Sequence, residues 1–135
     1  LKVLGNFFNK FYDLEEQSAK LTEIENEFIE KTKEYLMNNL FGPFPSLVFL
    51  AGMAGMSASK YKSSFKKRFN NTPKNLFIEE KIKLAQELLK SGKFSTLSDV
   101  MYELNYTKLS YFCSKYQEVL NRKPTDDFVK KSSIK

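Results

Sequence analysis

The sequence contains no histidine and no tryptophan, and Cys113 is the only cysteine among its 135 residues. A lone thiol cannot form an internal disulfide, and without histidine it cannot complete a zinc site. The lack of histidine also removes the usual general base of nucleophilic catalysis. The sequence has no glycine-rich phosphate loop either. We therefore expect no enzymatic activity, no cofactor and no bound metal.

Long apolar runs are also missing, since the sequence has no stretch of about 18 apolar residues and no signal-peptide pattern. The expected location is the cytoplasm, without contact with a membrane. Hydrophobic residues make up 41% of the chain and include 13 Phe and 7 Tyr. This content is sufficient for the core of one domain, or of two very small ones that share a helix.

Charge is unevenly distributed along the chain, whose net charge is +6. Residues 1–41 contain five lysines and eight acidic residues, whereas residues 42–135 contain 17 basic and eight acidic residues. Residues 57–75 include no acid and six basic side chains: Lys60, Lys62, Lys66, Lys67, Arg68 and Lys74. An acid-free segment of this density is typical of a surface that binds a polyanion, and ordinary solvated lysine is the alternative.

Two segments of the chain share one pattern. They are GMSASKYKSSFKKRFNNTP at residues 55–73 and NYTKLSYFCSKYQEVLNRKP at residues 105–124. Each begins with a residue that tolerates positive φ, Gly55 or Asn105, and continues with a hydroxyl, Ser57 or Thr107, that is expected to cap a helix. A turn, a cap and a basic amphipathic helix form half of a helix-turn-helix, so the repeat predicts two such motifs.

The spacing of apolar residues and the caps beside them predict an all-α fold. The expected elements are a first helix over residues 21–40, a short helix over 47–54, a basic helix over 58–69, a long helix over 73–90, a short helix that begins at the capping box of residues 96–99, a second basic helix over 108–119 and a closing helix over 124–131. The long helix would bridge two helix-turn-helix units, which span residues 46–70 and 96–121. Asp126 and Asp127 would start the closing helix, where acids suit the helix dipole.

Two groups of apolar side chains in the first unit are either buried in the core or exposed on the surface. Tyr61, Phe65 and Phe69 recur at helical spacing, so they should face the core rather than stack on nucleotides. Val48 and Phe49 make the short helix apolar on more than one side. Burial against the first helix and an exposed patch for a partner are the alternatives, and we favour burial.

Over residues 27–131 these motifs resemble the DNA-binding domain of the AraC type of bacterial transcription regulator. The resemblance rests on Leu50-Ala51, Gly55-Met56-Ser57, Phe65-Lys66, Thr72-Pro73, Lys81 to Ala85, Leu88-Leu89, Val100, Asn105-Tyr106, Ser110-Tyr111-Phe112 and Pro124. The chain departs from the family at Lys81, where Arg is usual, and at Asn70, Asn105 and Asn121, which replace glycines. Residues 1–26 would then be a linker or the tail of an absent upstream sensor domain, with a helix over residues 2–12 and a polar connection over 13–20.

The resemblance implies that the second helix of each motif enters the major groove. The two helices would lie on one face of the duplex, about one helical turn or roughly 34 Å apart. The implied base-reading positions are Ser59, Lys62 and Ser63 on the first recognition helix and Leu109, Ser110, Cys113 and Ser114 on the second. Phosphate contacts would come from Lys60, Lys66, Lys67, Lys108 and Lys115, and from the helix starts at Ser57 and Thr107. Lys62 is the leading candidate for guanine, because neither helix has an arginine on its outer face. About six contacts would make the slope of log affinity against log salt near −5.

Double-stranded DNA is therefore the expected partner. RNA polymerase and a second copy, bound through the upstream domain, are further candidates. The alternative is a helical adaptor that docks an acidic protein. For Cys113 we favour a small, half-buried side chain over a redox switch, because no basic residue lies within a turn on its N-terminal side to stabilise a thiolate.

Overall fold

Seven α-helices form most of the structure within residues 22–132, the part of the chain that this computed structural model describes. They are α1 through residues 22–37, α2 Leu47–Met53, α3 Ala58–Phe69, α4 Pro73–Lys90, α5 Leu97–Glu103, α6 Leu109–Leu120 and α7 Pro124–Asp127. The helix expected over residues 2–12, the connection over 13–20 and the expected helix start at Leu21 lie outside the described residues. The expected boundary between residues 26 and 27 falls inside α1, and the division into linker and domain stays a prediction.

The first three helices and the start of α4 enclose one hydrophobic core. Ile29 of α1, Leu50 of α2, and Tyr61 and Phe65 of α3 are at most 1% exposed. The buried Tyr61 hydroxyl donates a hydrogen bond to Thr32 Oγ1 at 2.7 Å, which ties α3 to α1 in addition to the apolar contacts. Tyr61 and Phe65 are thus core residues, as their spacing predicted, and Phe69 is partly buried against the same core.

The connection between α2 and α3 is the turn of a helix-turn-helix. Gly55 has a φ of 67°, and the Met56 N–H returns to the Ala51 carbonyl at 2.9 Å. The Ser57 hydroxyl then accepts a hydrogen bond from the Lys60 N–H at 3.3 Å. This bond satisfies one of the free N–H groups at the helix start and confirms the predicted cap.

Helix α4 joins this core to a second one. Thr72 caps its N-terminus and Pro73 occupies its first turn, where a missing N–H costs nothing. Phe77 belongs to the first core, whereas Ile82 and Leu89 are fully buried in the second, among residues of α5 and α6. The fold is therefore the predicted all-α arrangement of two helix-turn-helix units joined by a bridging helix.

The second motif reproduces the backbone of the first at the beginning of its turn. Asn105 has a φ of 66°, and the Tyr106 N–H donates to the Met101 carbonyl at 3.0 Å. Each of these residues lies 50 positions after its counterpart in the first motif. Asn replaces Gly here because it is the next most tolerant residue in the left-handed region.

The second turn then contains one additional residue before its helix begins. Phe112 occupies the position of Tyr61 in the helix, an offset of 51 rather than 50. The N-cap position consequently falls on Lys108, and α6 starts at Leu109 with no side-chain cap. The prediction that Thr107 caps this helix was wrong, because the longer turn leaves its hydroxyl one residue too early.

The closing helix α7 is shorter than predicted and ends at Asp127. Beyond it the Val129 N–H donates to the Leu89 carbonyl at 2.8 Å, and the Lys131 N–H donates to the Phe94 carbonyl at 2.7 Å. The first of these bonds satisfies a free carbonyl at the C-terminus of α4. The predicted continuation to residue 131 was wrong because these distant carbonyls take the N–H groups that a longer helix would use.

Val48 and Phe49 are exposed, at 74% and 48%, so the favoured expectation of burial was wrong. The buried side of α2 is formed instead by Leu50 and Ala51, and a two-turn helix presents only one side to the core. Phe49 leans on the edge of the first unit, where its ring centroid lies 5.6 Å from that of Tyr35. The result is an apolar patch on the surface of α2.

Candidate nucleic-acid interface

The outer face of α3 carries the residues that the sequence assigned to base reading. Each residue advances an α-helix by 100°, so the buried Tyr61 defines the side opposite this face. Ser59, Lys62, Ser63 and Lys66 lie within an arc of about 100° that faces away from Tyr61, and all four are exposed. The fold thus presents two lysines and two hydroxyls to solvent on one face.

The flank of α3 is covered by acidic side chains of α1. Lys60 Nζ lies 2.8 Å from Glu25 Oε1, and Arg68 Nη2 lies 2.7 Å from Glu30 Oε1. Both pairs are partly exposed, so each contributes little to stability. Their consequence is electrostatic, because two of the six cations in this acid-free segment are matched by acids from outside it.

Three lysines of α3 have no ion pair within the described chain, namely Lys62, Lys66 and Lys67. The basic character of the last turn, from Lys66 to Arg68, also suits the negative end of the helix dipole. The free positive charge of the first unit is therefore concentrated on the outer face and one edge of α3.

The outer face of α6 is exposed in the same way but is uncharged. Ser110, Ser114 and Gln117 are exposed, Leu109 is 47% exposed, and Cys113 is half-buried with a free thiol. The favoured interpretation of Cys113 as a small, half-buried side chain agrees with this environment.

The 51-residue offset makes the two recognition helices directly comparable. Cys113 stands at the position of Lys62, and Gln117 stands at the position of Lys66. Lys115 is half-buried, pairs with Glu118 at 3.1 Å and lies over a tyrosine ring. The two lysines on the outer face of α3 thus have neutral counterparts on α6, and the two outer faces differ in charge.

The start of α6 differs from that of α3 because it lacks a side-chain cap. Thr107 and Lys108 precede the helix and are exposed. The N–H groups of the first turn consequently have no side-chain acceptor, although Ser57 supplies one in α3. The one-residue difference in spacing between the two copies is the signal from which this difference could be inferred.

A buried polar cluster beneath α6 was missed by the sequence reasoning. Asp127, whose side chain is 1% exposed, accepts hydrogen bonds from the Tyr116 hydroxyl at 2.6 Å, Gln86 at 3.2 Å and the Arg122 guanidinium at 2.8 Å. The bonds from Arg122 are the largest cause that lowers the pKa of Asp127 to about 2. Asp126 does bond the Lys123 N–H at the helix start, but Asp127 anchors α6 and α7 to α4, which corrects its assignment to the helix dipole.

Lys81 of α4 was also missed, because a lysine is rarely buried. It is 4% exposed, and its Nζ donates to the Gly42 carbonyl at 2.7 Å. The same Nζ lies 5.0 Å from the Phe77 ring centroid and 5.1 Å from that of Tyr106. Burial lowers the pKa of Lys81 to about 8 and raises that of Tyr106 to about 12.

Within residues 22–132 no group of three or more Cys, Asp and Glu side chains is placed to hold a metal ion. No helix there combines the length and apolar character that spanning a membrane requires.

Comparison with known sequences identified one family. The sequence profile of the helix-turn-helix domain matches residues 50–128, which is more than half of the chain. Comparison with curated proteins gave no significant match.

Solved structures with the same fold were found at low sequence identity. A probable AraC family transcriptional regulator from Rhodopseudomonas palustris has a TM-score of 0.67 and 19% identity, over 75% of this chain and 94% of that chain. The C-terminal domain of AraT, a response regulator from Geobacillus stearothermophilus, has a TM-score of 0.66 and 15% identity, over 73% of this chain and 81% of that chain. The DNA-binding domain of AdpA, a global transcriptional factor crystallised with a target DNA, has a TM-score of 0.66 and 17% identity, over 73% of this chain and 87% of that chain.

Proposed function

Because the chain belongs to the AraC-type helix-turn-helix family of DNA-binding transcription regulators, we propose that α3 and α6 enter successive major-groove turns on one side of a DNA duplex. The observation that carries this proposal is the exposure of both outer faces, Ser59 to Lys66 on α3 and Ser110 to Gln117 on α6. Neither recognition helix is covered by another part of the described chain on that side. The family comprises regulators rather than enzymes.

The two helices would contribute differently to binding. Lys62 and Lys66 on α3 can bond guanine and phosphate, and the adjacent Lys67 can neutralise a second phosphate. The outer face of α6 offers hydroxyl, amide and thiol groups and the apolar Leu109, which suit base edges and thymine methyl groups but release no counterions. The first unit would therefore supply most of the affinity, and the second would add sequence preference and register.

Arginine would not take part in base reading. Arg68 is held by Glu30 and Arg122 by Asp127, each through its Nε and Nη2 atoms. Bidentate arginine to guanine is the commonest specific contact in the major groove. Without it, discrimination between sequences should depend on Lys62 and on the neutral side chains.

The test is selection of bound duplexes from a random pool, followed by measurement of Lys62→Ala and Lys67→Ala on the selected duplex and on a scrambled one. We expect Lys62→Ala to reduce the preference for the selected duplex, by about 1–3 kcal/mol if Lys62 contacts a guanine. Lys67→Ala should weaken both duplexes equally, since phosphates carry no sequence information. Equal effects of the two substitutions on both duplexes would show that Lys62 does not read a base. If the selected duplexes share no common sequence, the proposal itself is contradicted.

A protein contact is a second candidate, which the exposed Val48 and Phe49 favour. In a transcription regulator such a patch could serve RNA polymerase, and a second copy could be held by an upstream domain. Both partners, and the cytoplasmic location they require, belong to this proposal. If Val48→Ser and Phe49→Ser leave duplex binding unchanged but reduce transcription from a reconstituted promoter, the patch serves a protein. An equal loss in both assays would contradict this role.

A further inference from the structure

The Lys81 ammonium lies at the junction of the two hydrophobic cores. Phe77, on one side of it, is buried in the first core, and Tyr106, on the other side, packs against the second. Its hydrogen-bond acceptor, the Gly42 carbonyl, belongs to the loop between α1 and α2 and lies 39 residues away in sequence. One cation therefore contacts residues of both hydrophobic cores.

This arrangement lowers the stability of the folded chain. The ammonium is buried without a carboxylate partner among the described residues, and burying a charge that is only partly compensated is unfavourable. The hydroxyl of Tyr106, whose ring faces the ammonium, is also buried and has no hydrogen-bond partner in this part of the chain. An apolar side chain at position 81 would avoid the first of these costs. Folding stability therefore does not explain the positive charge at position 81.

The contacts of Lys81 depend on the relative orientation of the two units. A rotation of the second unit about α4 would move the Tyr106 ring away from the ammonium, while the Gly42 carbonyl and the Phe77 ring stayed in place. Because the ammonium is buried, water could not compensate fully for the lost contact. The free energy of the folded chain should therefore rise more steeply with this rotation than it would if apolar packing alone held the junction.

We propose that Lys81 is a positioning residue, which holds the two recognition helices in the one relative orientation that fits two neighbouring half-sites. This inference rests on the proposed function. Helix α4 sets the distance between the units, and Lys81 limits the rotation of one unit against the other. Without that restraint, binding of the second unit would have to select one orientation among several, and the two-site affinity would fall.

The experiment uses the full chain and the duplex selected by it, together with duplexes in which one half-site is scrambled or the half-sites are moved apart by one or two base pairs. Lys81→Met keeps the length of the side chain but removes the charge and the donor. We expect the two-site affinity of this variant to fall by about tenfold, with the single-site affinity within about threefold of the wild type. Wild-type binding should decline sharply with each inserted base pair, and Lys81→Met should tolerate the insertions better.

Two further variants separate positioning from folding. Lys81→Arg retains the charge and the donors and should restore the wild-type spacing profile. Tyr106→Phe retains the ring and removes only the unpartnered hydroxyl, so it should also keep that profile. If Lys81→Met fails to fold, Tyr106→Leu removes one ring of the junction and gives the same test.

The outcomes distinguish this inference from the function on which it rests. A folded Lys81→Met variant with the wild-type ratio of two-site to single-site affinity, and the wild-type spacing profile, would overturn the positioning role while leaving DNA binding intact. Failure of the wild-type chain to bind any duplex would overturn the proposed function, and the inference with it.

Discussion

Replacing Lys67 with glutamine should change the salt dependence of DNA binding, whereas the same replacement of Lys115 should hardly change it. Lys67 is exposed and has no ion pair within the described chain. Lys115 already pairs with Glu118 at 3.1 Å, and its Nζ lies 5.6 Å from the centroid of the Tyr111 ring. A cation that keeps its carboxylate partner releases no counterion from DNA. Of these two lysines, only Lys67 should therefore contribute to the slope of log affinity against log salt concentration.

The structure lowers the magnitude expected from sequence. Of the five lysines assigned to phosphates, Lys60 and Lys115 are in ion pairs, which leaves Lys66, Lys67 and Lys108. Three phosphate contacts give a slope of about −2.7, which is about a 40-fold loss of affinity between 50 and 200 mM salt. Removal of Lys67 should bring the slope to about −1.8 and the loss to about 12-fold.

Fluorescence anisotropy of the labelled, selected duplex at a series of salt concentrations measures these slopes. Glu118→Gln is the matched control, because it should free Lys115 and make the slope steeper by about 0.9. A wild-type slope steeper than −5, or equal changes for Lys67→Gln and Lys115→Gln, would refute the reasoning that intramolecular ion pairs withhold these lysines from DNA.

Three further predictions concern stability, each measured by urea unfolding. Asp127→Asn should cost about 3–5 kcal/mol, because it leaves buried hydrogen-bonding groups without their anion, while Asp126→Asn should cost less than about 1 kcal/mol. For Lys81, whose pKa is lowered from 10.5 to about 8, the unfolded chain binds more protons between these values. The free energy of unfolding should therefore rise by about 2 kcal/mol from pH 8 to 10, and Lys81→Met should abolish this rise. Ser57→Ala should cost about 1 kcal/mol and Thr107→Ala almost nothing, since only Ser57 caps a helix; equal costs would contradict the observed difference between the two turns.

Much of the fold could be predicted because the signals for it are local. A positive φ at Gly55 or Asn105 and a cap at Ser57 or Thr72 depend on residues within four positions, which the sequence displays side by side. The same holds for the buried face of α3, whose aromatic residues follow the period of the helix. The wrong prediction that Thr107 caps α6 could also have been avoided from the sequence, because the offset between the two copies changes from 50 to 51 residues at this turn.

The exposed outer faces of the two recognition helices were predicted, but the ion pairs beside them were not. Sequence reasoning identified the outer faces of α3 and α6, because helix periodicity separates them from the buried faces. It counted Lys60 as free, because Glu25 lies 35 residues earlier in the chain and no pattern links the two. The exposure of Val48 likewise depends on which side of α2 meets the core.

The sequence alone determined where the helices begin and turn, and which side of each recognition helix is buried, because capping, φ preference and periodicity act between near neighbours. Only the tertiary structure decided which charges remain free and which polar groups are buried. Lys81 meets Gly42 across 39 residues, and Asp127 meets Gln86 across 41. The cost of a buried charge is set by the groups that packing brings around it, and these groups are remote in the chain.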